Sequence, residues 1–72
     1  MSNLYTAELG REYRVGHVGT GDSELEAFLF SLGCYSGQPL TVVSRRRAGC
    51  TVVIKDGRYH FDSRLSSAIE LI

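Results

Sequence analysis

A chain of 72 residues has room for one domain, 1–72. At roughly 60% burial of its unfolded surface, it leaves little space for a deep internal active site. Lys plus Arg and Asp plus Glu number 8 each, so the formal net charge is zero, which argues against a general nucleic-acid binder whose affinity rests on excess cation. The 43% hydrophobic content excludes a disordered chain. Cys34 and Cys50 are too few for the disulfide framework of a small secreted domain, and are expected as free, core-packed thiols in a reducing cytoplasm.

In chain order, Met1 to Thr6 has neither a basic leader nor an apolar stretch and is expected as a loose arm. Leu9-Gly10 turns the chain into a strand over Glu12 to Val18. Tyr13 and Val15 share a face there, and the alternation slips at Gly16, which predicts a β-bulge or tight bend. After the loop Gly19-Thr20-Gly21-Asp22, Ser23 with Glu26 three residues later reads as a capping box. Glu24 and Glu26 suit the positive end of a helix dipole. Leu25, Phe28, Leu29 and Leu32 form an i, i+3, i+4, i+7 stripe, and Gly33 supplies a left-handed stop, so a helix is predicted over 23–32. It is too short to persist in water alone, so the stripe must pack on a sheet.

Ser36-Gly37-Gln38-Pro39 breaks the chain before a strand over Leu40 to Arg46. Ala48-Gly49 turns it into a β-branched strand over Cys50 to Lys55, and Asp56-Gly57 is a type I′ hairpin signal. Tyr59 and Phe61 then face inward, with Arg58 and His60 outward. Asp62 caps a helical turn near 62–66, and Ala68 to Leu71 forms a last strand. Five short strands and one helix fit a mainly β, strongly bent small barrel whose closure removes exposed edges. No apolar run approaches the ~20 residues that cross a bilayer, so the expectation is a cytoplasmic chain, at the membrane only through a partner.

Catalytic constellations do not emerge. The segment Gly16 to Ser23 lies between strand and helix like a phosphate loop, but it lacks the terminal Gly-Lys-Ser/Thr, and Asp22, Glu24 and Glu26 would repel a phosphate. His17, His60, Cys34 and Cys50 have no close metal-ligand spacing, and no nucleophile elbow is present. No catalytic residue, metal or cofactor is therefore expected. Two surface features remain. Arg45, Arg46 and Arg47 end a strand at a hairpin, with Arg45 and Arg47 expected on one face and Arg46 on the other. They serve either as a solvated, edge-protecting run or as a contact for an acidic partner or RNA. Phe30 lies roughly 140° from the centre of the helical stripe and should face away from the barrel, with Tyr35 nearby. Either the pair is a docking surface or the N-terminal arm folds over Phe30.

The order of these features resembles the FeoA family of small bacterial proteins. The matching residues are Leu9-Gly10, Val15, the helix end Leu29-x-x-Leu32-Gly33 and Gly37, then Leu40-x-Val42, Gly49, Val52 to Ile54, Gly57 and the closing Ala68 to Leu71. Two departures stand out: Ser36-Gly37 where the family often has Pro-Gly, and Phe61-Asp62 where it often has Leu-Arg. The resemblance implies an SH3-like barrel in ferrous iron uptake. It also implies a non-enzymatic accessory that binds the cytosolic GTP-binding region of the FeoB membrane permease and regulates or assembles it. Similar domains occur at the C-terminus of iron-dependent repressors. The chain is too short to add a DNA-binding domain, so a standalone accessory is expected. Phe30, Tyr35, Arg45, Arg46 and Arg47 are the candidate partner contacts, and a small-barrel nucleic-acid or general interaction module is the alternative.

Overall fold

The computed structural model describes residues 2–72; Met1, the first residue of the expected arm, lies outside them. The elements are β1 (Ser2–Asn3), β2 (Glu12–Val18), α1 (Ser23–Leu32), β3 (Pro39–Arg46), β4 (Gly49–Ile54), β5 (Gly57–Asp62), α2 (Ser63–Ala68) and β6 (Ile69–Leu71). The strands form an antiparallel sheet in the order β1-β6-β2-β3-β4-β5. It curls into a near-isotropic body of 28 × 23 × 22 Å. Instead of five strands closed into a barrel there are six, and the hydrogen-bonded ladder stays open between β1 and β5. Helix α2 packs against β1, β4, β5 and β6 and fills that opening.

The sixth strand corrects the reading of the N-terminus. Ser2 and Asn3 pair with Leu71 and Glu70 of β6. Leu4 is fully buried, and its N–H donates to the Ile69 carbonyl at 3.2 Å. Cys50 Sγ donates to the Leu4 carbonyl at 3.4 Å. Asn3 and Thr6 close the turn by reciprocal side-chain-to-backbone bonds at 3.0 Å. Far from being a loose arm, the segment puts Leu4 and Ala7 into the core.

The bulge in β2 falls where the alternation slips: its register with β6 shifts between Val15 and Val18. Gly16 sits at the shift, and a Cβ there would stand 3.3 Å from the Glu70 carbonyl oxygen, so its small size lets β6 approach. Helix α1 has the expected limits, but Asp22, not Ser23, is its cap: the carboxylate accepts from Glu24 N–H at 3.0 Å and Leu25 N–H at 3.1 Å. Two orphan N–H groups are satisfied by a full charge, which a serine hydroxyl cannot match. Glu26, assigned to a capping box, instead accepts from Thr20 Oγ1 at 2.9 Å. Only Leu29 of the stripe is fully buried; Leu25 and Leu32 are half-buried and Phe28 is 57% exposed. The helix touches the sheet along a narrower line than the stripe suggested.

Around β4 both hairpins occur, with shifted turns. Ile54 pairs with Gly57, so the turn centre is Lys55-Asp56 rather than Asp56-Gly57. Lys55 takes the left-handed conformation at φ 52°, while Gly57 opens β5 beneath the Tyr59 ring, where a Cβ would collide. Gly49 has φ 151°, and a Cβ there would strike the backbone of Phe61 and Asp62. Phe61 is buried and stacks at 6.5 Å on Tyr59, with Arg58 and His60 outward. Asp62 caps α2 by accepting from Leu65 N–H at 2.8 Å. That helix runs to Ala68, so the last strand starts one residue later than expected.

Two stability outcomes follow from this packing. Leu4→Ala should cost about 2–5 kcal/mol in urea unfolding, as for a core leucine; a loss near zero would mean that the N-terminal segment is not part of the core. Gly49→Ala should cost at least about 2 kcal/mol, since both conformation and space oppose a side chain.

Candidate functional site

The end of α1 assembles an aromatic surface. Gly33 (φ 98°) reverses the chain, and the Cys34 N–H closes on the Leu29 carbonyl at 2.9 Å. The turn returns Tyr35 against the outer flank of the helix, where its ring centroid lies 4.8 Å from that of Phe30 at a 34° tilt. Lys55 Nζ stands 5.4 Å from the Tyr35 ring centroid, within cation–π range. The stem of Lys55 runs past Gly33, whose added Cβ would meet Lys55 Cδ at 3.2 Å. Phe30 remains 64% exposed, and the N-terminal segment lies against β6 rather than over it.

Phe30 and Tyr35 form one wall of a cleft of about 330 Å³. Gly16, His17 and Val18 on the β2 bulge face them, with Glu26, Cys34 and Ser36 completing the lining. The bulge and the helix stop, both legible in the sequence, thus become the two sides of one groove. Cys34 is buried at its base, and desolvation pushes its thiol up to about 11, so it is neutral and unreactive near pH 7. Among the described residues no three metal-ligating side chains come together.

The arginines lie elsewhere. Arg46 pairs with Gly49, so the turn is Arg47-Ala48, and the strand alternation expected to group Arg45 with Arg47 ends at Arg46. Arg45 donates to the Ala7 carbonyl, and Tyr5 Oη donates to the Arg47 carbonyl at 3.3 Å. Pro39, at the start of β3, is next to the Tyr35 turn, whereas Arg46 ends that eight-residue strand. The aromatic pair and the arginine tip are therefore roughly 20 Å apart at ordinary strand rise. Two further features had no clear sequence signal. One is exposed Phe28, which a helical stripe assigned to the core. The other is a cleft of about 230 Å³ between the loop before α1 and helix α2, lined by Thr20, Leu25, Arg64 and Leu65 among others.

A family model described as FeoA domain matches residues 2–71. No curated protein matches significantly. Among solved structures, a manganese-dependent transcriptional repressor superposes with a TM-score of 0.85 at 20% identity, covering 99% of this chain and 40% of its own. The solution structure of iron(II) transport protein A from Clostridium thermocellum gives 0.84 at 18% identity, covering 97% of this chain and 44% of its own. The chain thus spans less than half of either neighbour, and at these identities the likeness is one of fold, the SH3-like arrangement.

The Cys34 environment has a measurable consequence. Because the folded pKa is raised to about 11 from 9.0, the native state holds the proton that the unfolded chain releases. Stability should therefore be unaffected by this group below pH 9 and fall between about pH 9 and 11, where the unfolded thiol ionises first. Urea melts across that window should show the decline, and Cys34→Ala should remove Cys34's share of it.

Proposed function

The chain belongs to the FeoA family, and from that premise we propose that it is a non-catalytic accessory of ferrous iron uptake that works by docking onto a protein partner. The partner is the cytosolic GTP-binding region of a FeoB-type ferrous iron permease, which the chain regulates or helps assemble. No helix among the described residues is long and apolar enough to cross a membrane, so iron passage itself falls to the partner.

The observation that carries the docking surface is the Phe30–Tyr35 pair. An aromatic left 64% exposed beside a second ring and a cleft loses apolar burial in the free protein and regains it on association. Lys55 adds a cation at the rim, and the rigid αL turn at Gly33 holds the rings in place before binding. The nucleic-acid alternative needs bases stacked next to neutralised phosphates. Here the aromatic pair and the arginine tip are roughly 20 Å apart, which favours protein docking.

Pull-down of the purified chain with the permease's cytosolic region, over several salt concentrations and nucleotide states, tests this reading. Phe30→Ala should weaken the complex at least about tenfold, as for an aromatic anchor, while leaving the thermal midpoint nearly unchanged because the ring is exposed. Absence of a complex in every nucleotide state, or wild-type binding by Phe30→Ala, would overturn it.

A further inference from the structure

We infer that the arginine tip of the β3–β4 hairpin is a second, separate surface that contacts anionic lipid headgroups directly, not only through a protein partner. Arg45, Arg46 and Arg47 are all exposed. The only salt bridge among the described residues is the exposed Arg11–Glu8 pair, so none of the three is neutralised by a carboxylate. Across the ladder, Gly49 separates Arg46 from Asp62, whose carboxylate is engaged by the Leu65 N–H as the cap of α2. A chain of zero net charge thus concentrates uncompensated cation at one end.

The surroundings of the tip select the kind of partner. Arg45 donates to the Ala7 carbonyl, and the Gly10 N–H donates to the Val42 carbonyl at 2.9 Å, so segment 7–10 lies alongside β3. On that segment Leu9 is 52% exposed, an aliphatic side chain left in water close in sequence to Ala7, whose carbonyl accepts from Arg45. Cations flanked by an exposed aliphatic group match the headgroup region of an anionic bilayer, where the charge meets phosphate and the aliphatic group reaches the acyl boundary. The tip is a two-residue turn, and neither described cleft includes its arginines. A flat, diffuse anionic surface can be met by such a tip without a groove. Contact through this tip leaves Phe30 and Tyr35, roughly 20 Å away along β3, free for a protein.

Co-sedimentation of the full chain with vesicles tests the inference without any permease, so its outcome is independent of the docking reading. Phosphatidylcholine vesicles containing a minority of phosphatidylglycerol should pellet the protein at low salt, and pure phosphatidylcholine should not. Binding should fall as salt rises and drop about fivefold for each arginine neutralised, with the double variant Arg46→Gln/Arg47→Gln weakest. Leu9→Ala should weaken it further, and Phe30→Ala should bind lipid as the wild type does. Circular dichroism of the variants controls for folding. Equal binding by the double arginine variant, equal binding to neutral vesicles, loss of binding in Phe30→Ala, or tighter retention by single-stranded RNA than by anionic vesicles at matched salt would each overturn it.

Discussion

Strand β6 is the constraint on which the other elements depend. Its three residues lie between β1 and β2, so the end of the chain joins its beginning to the rest of the sheet. Ile69 and Leu71 point into the core, and Arg14 and Ile72 exchange backbone bonds at 3.1 and 2.8 Å. Without β6, Ser2 and Asn3 have no ladder to join, and Leu4 loses the carbonyl that orders its backbone. The close approach this requires is made at Gly16, where β2 carries no side chain to hold Glu70 away. The bulge that results turns His17 and Val18 toward α1 and so builds one side of the cleft that Phe30 and Tyr35 close. The site is therefore a by-product of how the last strand is admitted to the sheet.

The same frame separates the two surfaces. Strand β3 runs from the Tyr35 turn to the arginine tip, and its length keeps aromatic and cationic groups apart. Helix α1 is held at the aromatic end by Leu29 and by the Gly33 turn against the β4–β5 hairpin, leaving much of its surface in water. Burying so little of an apolar helix forfeits stability that a small domain can hardly spare. On the proposed docking, association of Phe30 with a partner would recover part of that loss. At the other end the N-terminal segment is bound to the arginine hairpin by Arg45 and Tyr5.

Local order was readable in the residues wherever a signal is local. The helix over 23–32, the bulge at Gly16, both hairpins and the inward Tyr59 and Phe61 follow from period, turn chemistry and alternation, each set by a few adjacent residues. Helical geometry places Phe30 outward, and Tyr35, just past the helix end, is expected nearby. Where the structure departs from the pattern, a competing neighbour decides. Ser23 was a reasonable cap by pattern, but Asp22 precedes it and its carboxylate reaches two amides. Asp56-Gly57 was a reasonable turn centre, but the register of β4 with β5 set it one residue earlier, because Gly57 is needed under the Tyr59 ring.

By itself, then, the chain's sequence determined that this is a small, mainly β protein with one amphipathic helix, an outward aromatic and an arginine hairpin. Those properties come from residue spacing, which the backbone enforces over a single turn or strand. Tertiary structure alone decided that Ser2 and Asn3 form a strand, that Phe28 stays in water, and that the aromatic pair and the arginines occupy opposite ends. A two-residue strand has no period to detect, and the exposure of a side chain depends on what other parts of the chain bring against it. Phe30 is legible as an outward residue; that Tyr35 packs on it and Lys55 on Tyr35 required the Gly33 turn and the β4–β5 hairpin to meet in space.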